Sequence, residues 1–197
     1  MKYFKSKKNT VYLKDDCVVK EFRSSVNMET EFNVLQALDG NFSPRIIKKE
    51  GLKLTIEYIN GELLLDKYLV ADEESAIKLA MSLGKTVLGL RKILCDRIPN
   101  DENFRNYIIK DEAIFRVDFE ETAQGTIECW LAKIMAFAML YDVKLSVKKS
   151  FINTLTVSVP HSEMLSFEFE KELKFLANRW NVDFPKNDFS EIKKEME

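Results

Sequence analysis

The chain has one histidine, His161, and three cysteines, Cys17, Cys95 and Cys129, in 197 residues. The cysteines are odd in number and far apart, and no Cys or His pair has metal-ligand spacing. That argues against a zinc site and against a disulfide framework. A histidine-based triad would have to use His161, and no Gly-x-Ser-x-Gly turn accompanies it. Neither charge sign is in excess: 30 basic and 32 acidic side chains leave a net charge of −2, so no nucleic-acid partner is expected. Long apolar runs are missing too. The most apolar stretch, Trp130 to Tyr141, contains Lys133 and is too short to span a bilayer. The segment Met1–Thr10 is Lys-rich and lacks the apolar core of a signal peptide. These absences lead to the expectation of a soluble, cytoplasmic protein.

What is present is core material. A hydrophobic content of 46% suffices for one large domain or two small lobes sharing a core. No internal repeat or low-complexity segment appears. Val11-Tyr12-Leu13 and Cys17-Val18-Val19 flank an Asp pair and read as a hairpin. Met28, Phe32, Leu35 and Leu38 fall at helical spacing, and Gly40 follows where a helix C-terminus favours glycine. Ile46-Ile47 and Leu52 to Ile56 form a second strand pair across Glu50-Gly51. Asn60-Gly61 marks a boundary between residues 1–60 and 61–197. Beyond it the spacing predicts a helix over Glu73 to Arg97, ended by Pro99, with Ile77, Met81, Leu83, Val87, Leu90 and Leu94 inward. A hairpin follows, Tyr107 to Val117, then a buried helix over Trp130 to Tyr141 and helices over Lys148 to Val159 and Glu163 to Arg179. Glu191 to Glu197 is charged and expected to fray. Strands gathered at one end and helices at the other give an α+β, two-lobed design.

The segment after Pro99 carries the chemistry. It reads Asp101-Glu-Asn-Phe-Arg-Asn106, then a strand, a polar turn, and a return strand ending in Asp118. A tight hairpin would set Asn106 beside Asp118 at its open end, with Asp101 on the loop leading in. Phosphoryl transfer needs such a set: one carboxylate for the acceptor hydroxyl proton, and an amide oxygen and second carboxylate for Mg²⁺.

With these residues the chain resembles the protein-kinase-like superfamily, nearest its small bacterial aminoglycoside-phosphotransferase-like and lipopolysaccharide-kinase-like branch. Asp101-x-x-x-x-Asn106 is similar to the catalytic loop, and Val117-Asp118-Phe119-Glu120 to the metal-binding Asp-Phe-Gly or Asp-Phe-Glu element. Cys17-Val18-Val19-Lys20 resembles the strand bearing the nucleotide Lys, and Glu31-Phe32-Asn33-Val34-Leu35 the helix bearing its Glu partner. Glu57-Tyr58-Ile59 resembles the hinge against which adenine lies. The likeness covers residues 10 to 140, in order. It implies a strand-rich N-lobe over 1–60, a minimal helical C-lobe over 61–197, and ATP with Mg²⁺ as cofactors. It further implies Lys20 on the phosphates, Glu31 pairing with Lys20, Asn106 and Asp118 on the metal, and Asp101 as base.

Departures accompany the likeness. Phe4-Lys-Ser-Lys-Lys-Asn-Thr-Val11 stands where a Gly-rich loop would be, either touching phosphates or forming a plain basic turn. Pro99 stands where relatives usually have His, and Asn103 where protein kinases carry Lys. Arg105 could supply that missing charge near the γ-phosphate, or be structural. Glu120 replaces the usual Gly, and Glu128 stands near where relatives place an Asp that braces the catalytic loop. The first expectation is an ATP–Mg²⁺-dependent phosphotransferase acting on a hydroxyl of a small molecule, saccharide or protein. The alternatives are a pseudokinase serving as an interaction module and a helical scaffold with an accidental match.

Overall fold

Asp15 and Asp16 both adopt positive φ, 49° and 58°, which closes a two-residue turn between β2 (Thr10–Lys14) and β3 (Cys17–Glu21). This primed geometry twists in the same sense as the strands it joins. The computed structural model describes residues 2–4, 6 and 8–196. Lys5, Lys7 and Glu197, parts of the basic turn and of the tail expected to fray, lie outside them. With β1 (Lys2–Phe4), β4 (Ile46–Glu50) and β5 (Lys53–Glu57), the hairpin builds one antiparallel sheet of order β1-β2-β3-β5-β4. Helix α1 (Ser25–Leu38) packs on it, its first turn capped by Ser24 Oγ, which accepts from the Asn27 amide at 3.3 Å.

The second lobe is helical around two small sheets. Strand β6 (Glu62–Leu63) pairs with β8 (Tyr107–Lys110), which pairs with β9 (Ala113–Arg116). A Cβ on Gly61 would stand 2.2 Å from the Ile109 carbonyl oxygen, so this close approach requires glycine. Helix α2 (Leu64–Leu69) leads into α3 (Glu73–Leu94), whose N-cap Asp72 accepts from the Ser75 amide at 2.8 Å.

Helix α3 differs from the expectation in two respects. It ends at Leu94, with Cys95 at φ 57°, not at Arg97. Arg97–Pro99 instead forms β7, paired with β10 (Thr122–Gln124), so Pro99 lies in a short strand rather than stopping a helix. Its buried face also runs through small residues. Ala76, Ala80 and Gly84 face inward, while Ile77 and Met81 are exposed, because α5 (Leu145–Ser158) packs close to it. A Cβ on Gly84 would already touch Ser158 Cβ at 3.1 Å.

Helix α4 (Ile127–Leu140) fills the centre, with Trp130, Leu131, Ile134 and Met135 fully buried. Each such side chain contributes about 1.5–3 kcal/mol relative to exposure. Helix α6 (Met164–Trp180) lies against α4, and α7 (Lys186–Met196) closes the end. The tail expected to fray is therefore helical through Met196, with Phe189 and Ile192 buried. Lys148 and Lys149 of α5 pair with Asp188, Glu191 and Glu195 of that helix.

Candidate active site

Lys20 lies on the inner strand β3, between Val11 of β2 and Leu54 of β5. Its cross-strand partner Leu54 is fully buried on the same face of the sheet, so the side chain points into the fold and is only 6% exposed. An unpaired buried ammonium would be costly, and the sequence supplies its partner one helix later. Glu31 sits on the buried face of α1, fully enclosed, and its Oε2 meets Lys20 Nζ at 2.5 Å. Lys20 Nζ also donates to Asp118 Oδ1 at 2.9 Å and stands 3.8 Å from Glu120 Oε2. The strand, the helix and the segment after β9 thus converge on one ammonium.

Charge and burial oppose each other here. Burial pushes the Glu31 carboxyl up, to about 7, against the pull of Lys20. Burial works against the Lys20 charge, but Glu31, Asp118 and Glu120 together hold its pKa above the ordinary value. Burial also raises Asp118, and Lys20 and Arg116 outweigh it, so that carboxyl stays below its usual range. Carboxylate oxygens of Glu31, Asp118 and Glu120 lie within 4.8 Å of one another. Glu31 is enclosed against Lys20, but the Asp118 side chain is 36% exposed and offers a hard carboxylate oxygen of the kind that suits Mg²⁺, so this residue fits the metal.

The loop before β8 is fixed by its own polar groups. The Asp101 carboxylate, half-buried, accepts from the Asn103 amide at 3.2 Å. Asn106 Nδ2 donates back to the Asp101 carbonyl at 3.0 Å. The Val117 amide donates to the Asn106 carbonyl at 3.0 Å, which brings Asp118 to the residue after Asn106's partner. Asp101, Asn106, Asp118, Lys20 and Glu31 are therefore joined through contacts of at most one intervening residue. Arg105 is exposed, its amide donating to Asn103 Oδ1 at 3.0 Å. At the end of β5, the Glu57 amide is already bound to the Arg45 carbonyl at 2.9 Å. Tyr58 beyond it is half-buried and Ile59 is buried.

Two groups of residues escaped the sequence reading. Glu102 and Arg116, at 0% and 1% exposure, form an ion pair at 2.9 Å, and the Tyr107 hydroxyl also donates to Glu102. Burial pushes the Glu102 carboxyl up, to about 7, with Arg116 opposing. One signal pointed to Arg116: on β9 it alternates inward with Ile114, the period of a half-buried strand. The other group is Asn9 and Lys8. Asn9, only 9% exposed, donates through Nδ2 to Glu120, and Lys8 pairs with Glu121 and approaches Glu120 at 3.9 Å.

No protein-family model matches the sequence, and no curated protein matches it. Solved structures do. An ADP-bound aminoglycoside phosphotransferase, APH(2'')-Ib, superposes with a TM-score of 0.66 at 12% identity, over 98% of this chain and 92% of that one. The gentamicin complex of APH(2'')-IIa gives 0.65 at 12% identity, over 98% and 89%. A choline/ethanolamine kinase family protein from Mesorhizobium loti gives 0.56 at 13% identity, over 100% and 87%. The fold is protein-kinase-like. At such identities the likeness is one of architecture, a strand-rich lobe and a helical lobe.

Within this kinase-like fold, Glu128, which stands near where relatives place a bracing Asp, engages Ser162 and not the loop that carries Asp101. Its carboxylate accepts from the Ser162 amide and hydroxyl, both at 2.9 Å, and so ties the start of α4 to the chain before α6. The kinase-like lobes are also linked by Phe42. Its carbonyl accepts from the Arg116 amide at 2.9 Å, and its ring lies where a Cβ on Gly89 would stand, 2.1 Å away.

Proposed function

We propose that the chain is an ATP–Mg²⁺-dependent phosphotransferase acting on a hydroxyl group, with residues 1–60 as its N-lobe and 61–197 as its C-lobe. The observation that carries this reading is the convergence of Lys20, Glu31 and Asp118 on one ion cluster beside Asp101 and Asn106. Lys20 binds the α/β-phosphates and Glu31 holds Lys20 in place. Adenine lies against Glu57, Tyr58 and Ile59. Asn106 and Asp118 would hold Mg²⁺, which supplies charge neutralisation on the β- and γ-phosphates. The acceptor oxygen attacks the γ-phosphorus and the bond to the bridging β–γ oxygen breaks. ADP leaves with that electron pair, and the acceptor proton passes to the Asp101 carboxylate. Arg105, on the same loop, offers a positive charge to the transferring group. Most of the rate comes from positioning and electrostatics, not covalent chemistry.

The structural neighbours are named for aminoglycosides and for choline or ethanolamine, which favours a small hydroxyl compound as acceptor. No helix among the described residues is long and apolar enough to cross a membrane. The test is ATP binding with and without Mg²⁺, followed by labelled-phosphate transfer to small hydroxyl compounds, saccharides and proteins. Failure to bind ATP would sink the reading.

One observation favours the alternative, a pseudokinase used as an interaction module. Asn9 and Lys8 engage Glu120 and Glu121 through their side chains, where a Gly-rich loop would offer backbone amides. ATP binding without any transfer would support that alternative.

A further inference from the structure

Asp101 and Glu102 are adjacent, yet their side chains do opposite things. Asp101 is half-buried, while Glu102 is fully enclosed. Arg116 reaches both residues at once. Its Nη1 meets Glu102 Oε1 at 2.9 Å, and its Nη2 donates to the Asp101 carbonyl at 2.8 Å. The same carbonyl takes Asn106 Nδ2 at 3.0 Å, so the peptide after Asp101 is held by two donors. The guanidinium is itself fixed, over the rings of Tyr107 and Phe119 at 5.1 and 5.5 Å.

A buried ion pair is poor value as a stabiliser, since apolar replacements of similar volume are often neutral or better. What the guanidinium adds is geometry: a directed bond from Nη2 to the Asp101 carbonyl, on a planar group whose Nη1 is held by charge against Glu102. Glu128 is engaged with Ser162, and Pro99 is paired with Thr122 in β7–β10, so neither braces this loop. We propose that Arg116 is a positioning residue, tying the Asp101 carbonyl to the buried Glu102 carboxylate and thereby fixing where the Asp101 carboxylate points. Its effect on turnover rests on the phosphotransferase reading; its effect on the loop does not.

Two variants test this. Arg116→Lys keeps a charge opposite Glu102 and loses the planar guanidinium. The triple variant Glu102→Leu, Tyr107→Phe, Arg116→Met removes the ion pair and the tyrosine hydroxyl together, leaving the buried Trp130 indole N–H as the one polar group of the cluster. The readouts are Mg²⁺-dependent ATP hydrolysis with water as acceptor, ATP affinity by calorimetry, and amide hydrogen exchange. In both variants hydrolysis should fall about 100-fold, the cost of misplacing a reacting group by an ångström or so. ATP affinity should stay nearly unchanged. The amides of Asn103, Arg105 and Asn106 should exchange faster, with those of β3 and β5 unaltered. Wild-type hydrolysis in a folded variant, or unaltered exchange in the loop, would overturn the proposal. A wild-type protein without turnover would remove the phosphotransferase reading, and the exchange measurement would still decide the role of Arg116. If the triple variant does not fold, Arg116→Lys carries both measurements.

Discussion

Lys20 Nζ and Glu31 Oε2 meet at 2.5 Å, with the two side chains only 7% and 0% exposed. Removing one partner strands the other, and breaking such a buried pair costs about 3–5 kcal/mol. Lys20→Met should therefore lower the melting temperature markedly, whereas Lys20→Met with Glu31→Leu should recover much of the loss. Neither variant should bind ATP as the wild type does. Thermal unfolding of the single and double variants, compared side by side, checks this. Equal destabilisation by both would mean the ion pair is not what the lobe depends on.

Asp118 separates metal binding from nucleotide binding. It bonds Lys20 at 2.9 Å while its side chain stays 36% exposed, open enough to take a second partner. Mg²⁺ should strengthen ATP binding in the wild type, and Asp118→Asn should remove most of that gain. Calorimetry with and without Mg²⁺ measures both. Metal-independent ATP binding, unchanged by the substitution, would favour the pseudokinase reading.

Gly89 tests the contact between the lobes. In a helix, Gly→Ala ordinarily gains about 1 kcal/mol. Here the new Cβ would stand 2.1 Å from the Phe42 ring, and overpacking costs roughly 1–3 kcal/mol. The clash should win, so Gly89→Ala is expected to lower the melting temperature. Adding Phe42→Ala should return part of the helix gain. A Gly89→Ala protein more stable than wild type would show that the Phe42 ring simply moves aside.

Glu128 sets an acid limb. Burial pushes its pKa up, but the Ser162 amide and hydroxyl, its own amide and the Thr126 hydroxyl together outweigh that and bring it down from 4.5 to about 2. A carboxyl depressed in the folded state contributes stability above its unfolded value and loses it as pH falls through the folded one. The contribution should thus be whole above pH 4.5 and disappear between there and pH 2. Glu128→Gln should flatten that part of the stability curve and leave the neutral range little changed. Urea unfolding at a series of pH values provides the comparison.

The hairpins were legible because local chemistry decides them. Asp15-Asp16 and Asp111-Glu112 take positive φ between alternating apolar runs. The face of α1 was legible from its spacing, and Glu31 falls on that face with Met28 and Leu35. The face of α3 was not. Small residues turned inward and larger ones outward because α5 packs close to α3, a tertiary fact no periodicity carries. Strand β7 escaped for the same reason, since its partner β10 lies far along the chain. Glu102 and Arg116 escaped because charged residues ordinarily sit in solvent, and only the β8–β9 register, which sets Arg116 opposite Tyr107, brings Arg116 to Glu102 on the loop before β8.

Asp101 carries the sharpest test of chemistry. Its carboxylate accepts from the Asn103 amide at 3.2 Å, and its carbonyl is gripped by Asn106 and Arg116. The backbone is thus held independently of the carboxylate, so Asp101→Ala should fold. It loses one turn-capping bond, worth about 1 kcal/mol, and the melting temperature should fall only slightly. ATP affinity should be nearly unchanged, because the groups proposed for the phosphates and metal are Lys20, Asn106 and Asp118. Transfer should drop by about two to four orders of magnitude, the usual worth of a positioned general base. The rival account makes Asp101 a turn cap only, in which case stability falls and turnover per folded molecule does not. Measuring melting temperature, ATP affinity and transfer rate on the same preparation distinguishes them. A folded Asp101→Ala protein with wild-type transfer would end the assignment of this residue as the base. A protein that keeps its ATP affinity and loses transfer would set Asp101 apart from Asp118, one residue serving the acceptor and the other the metal.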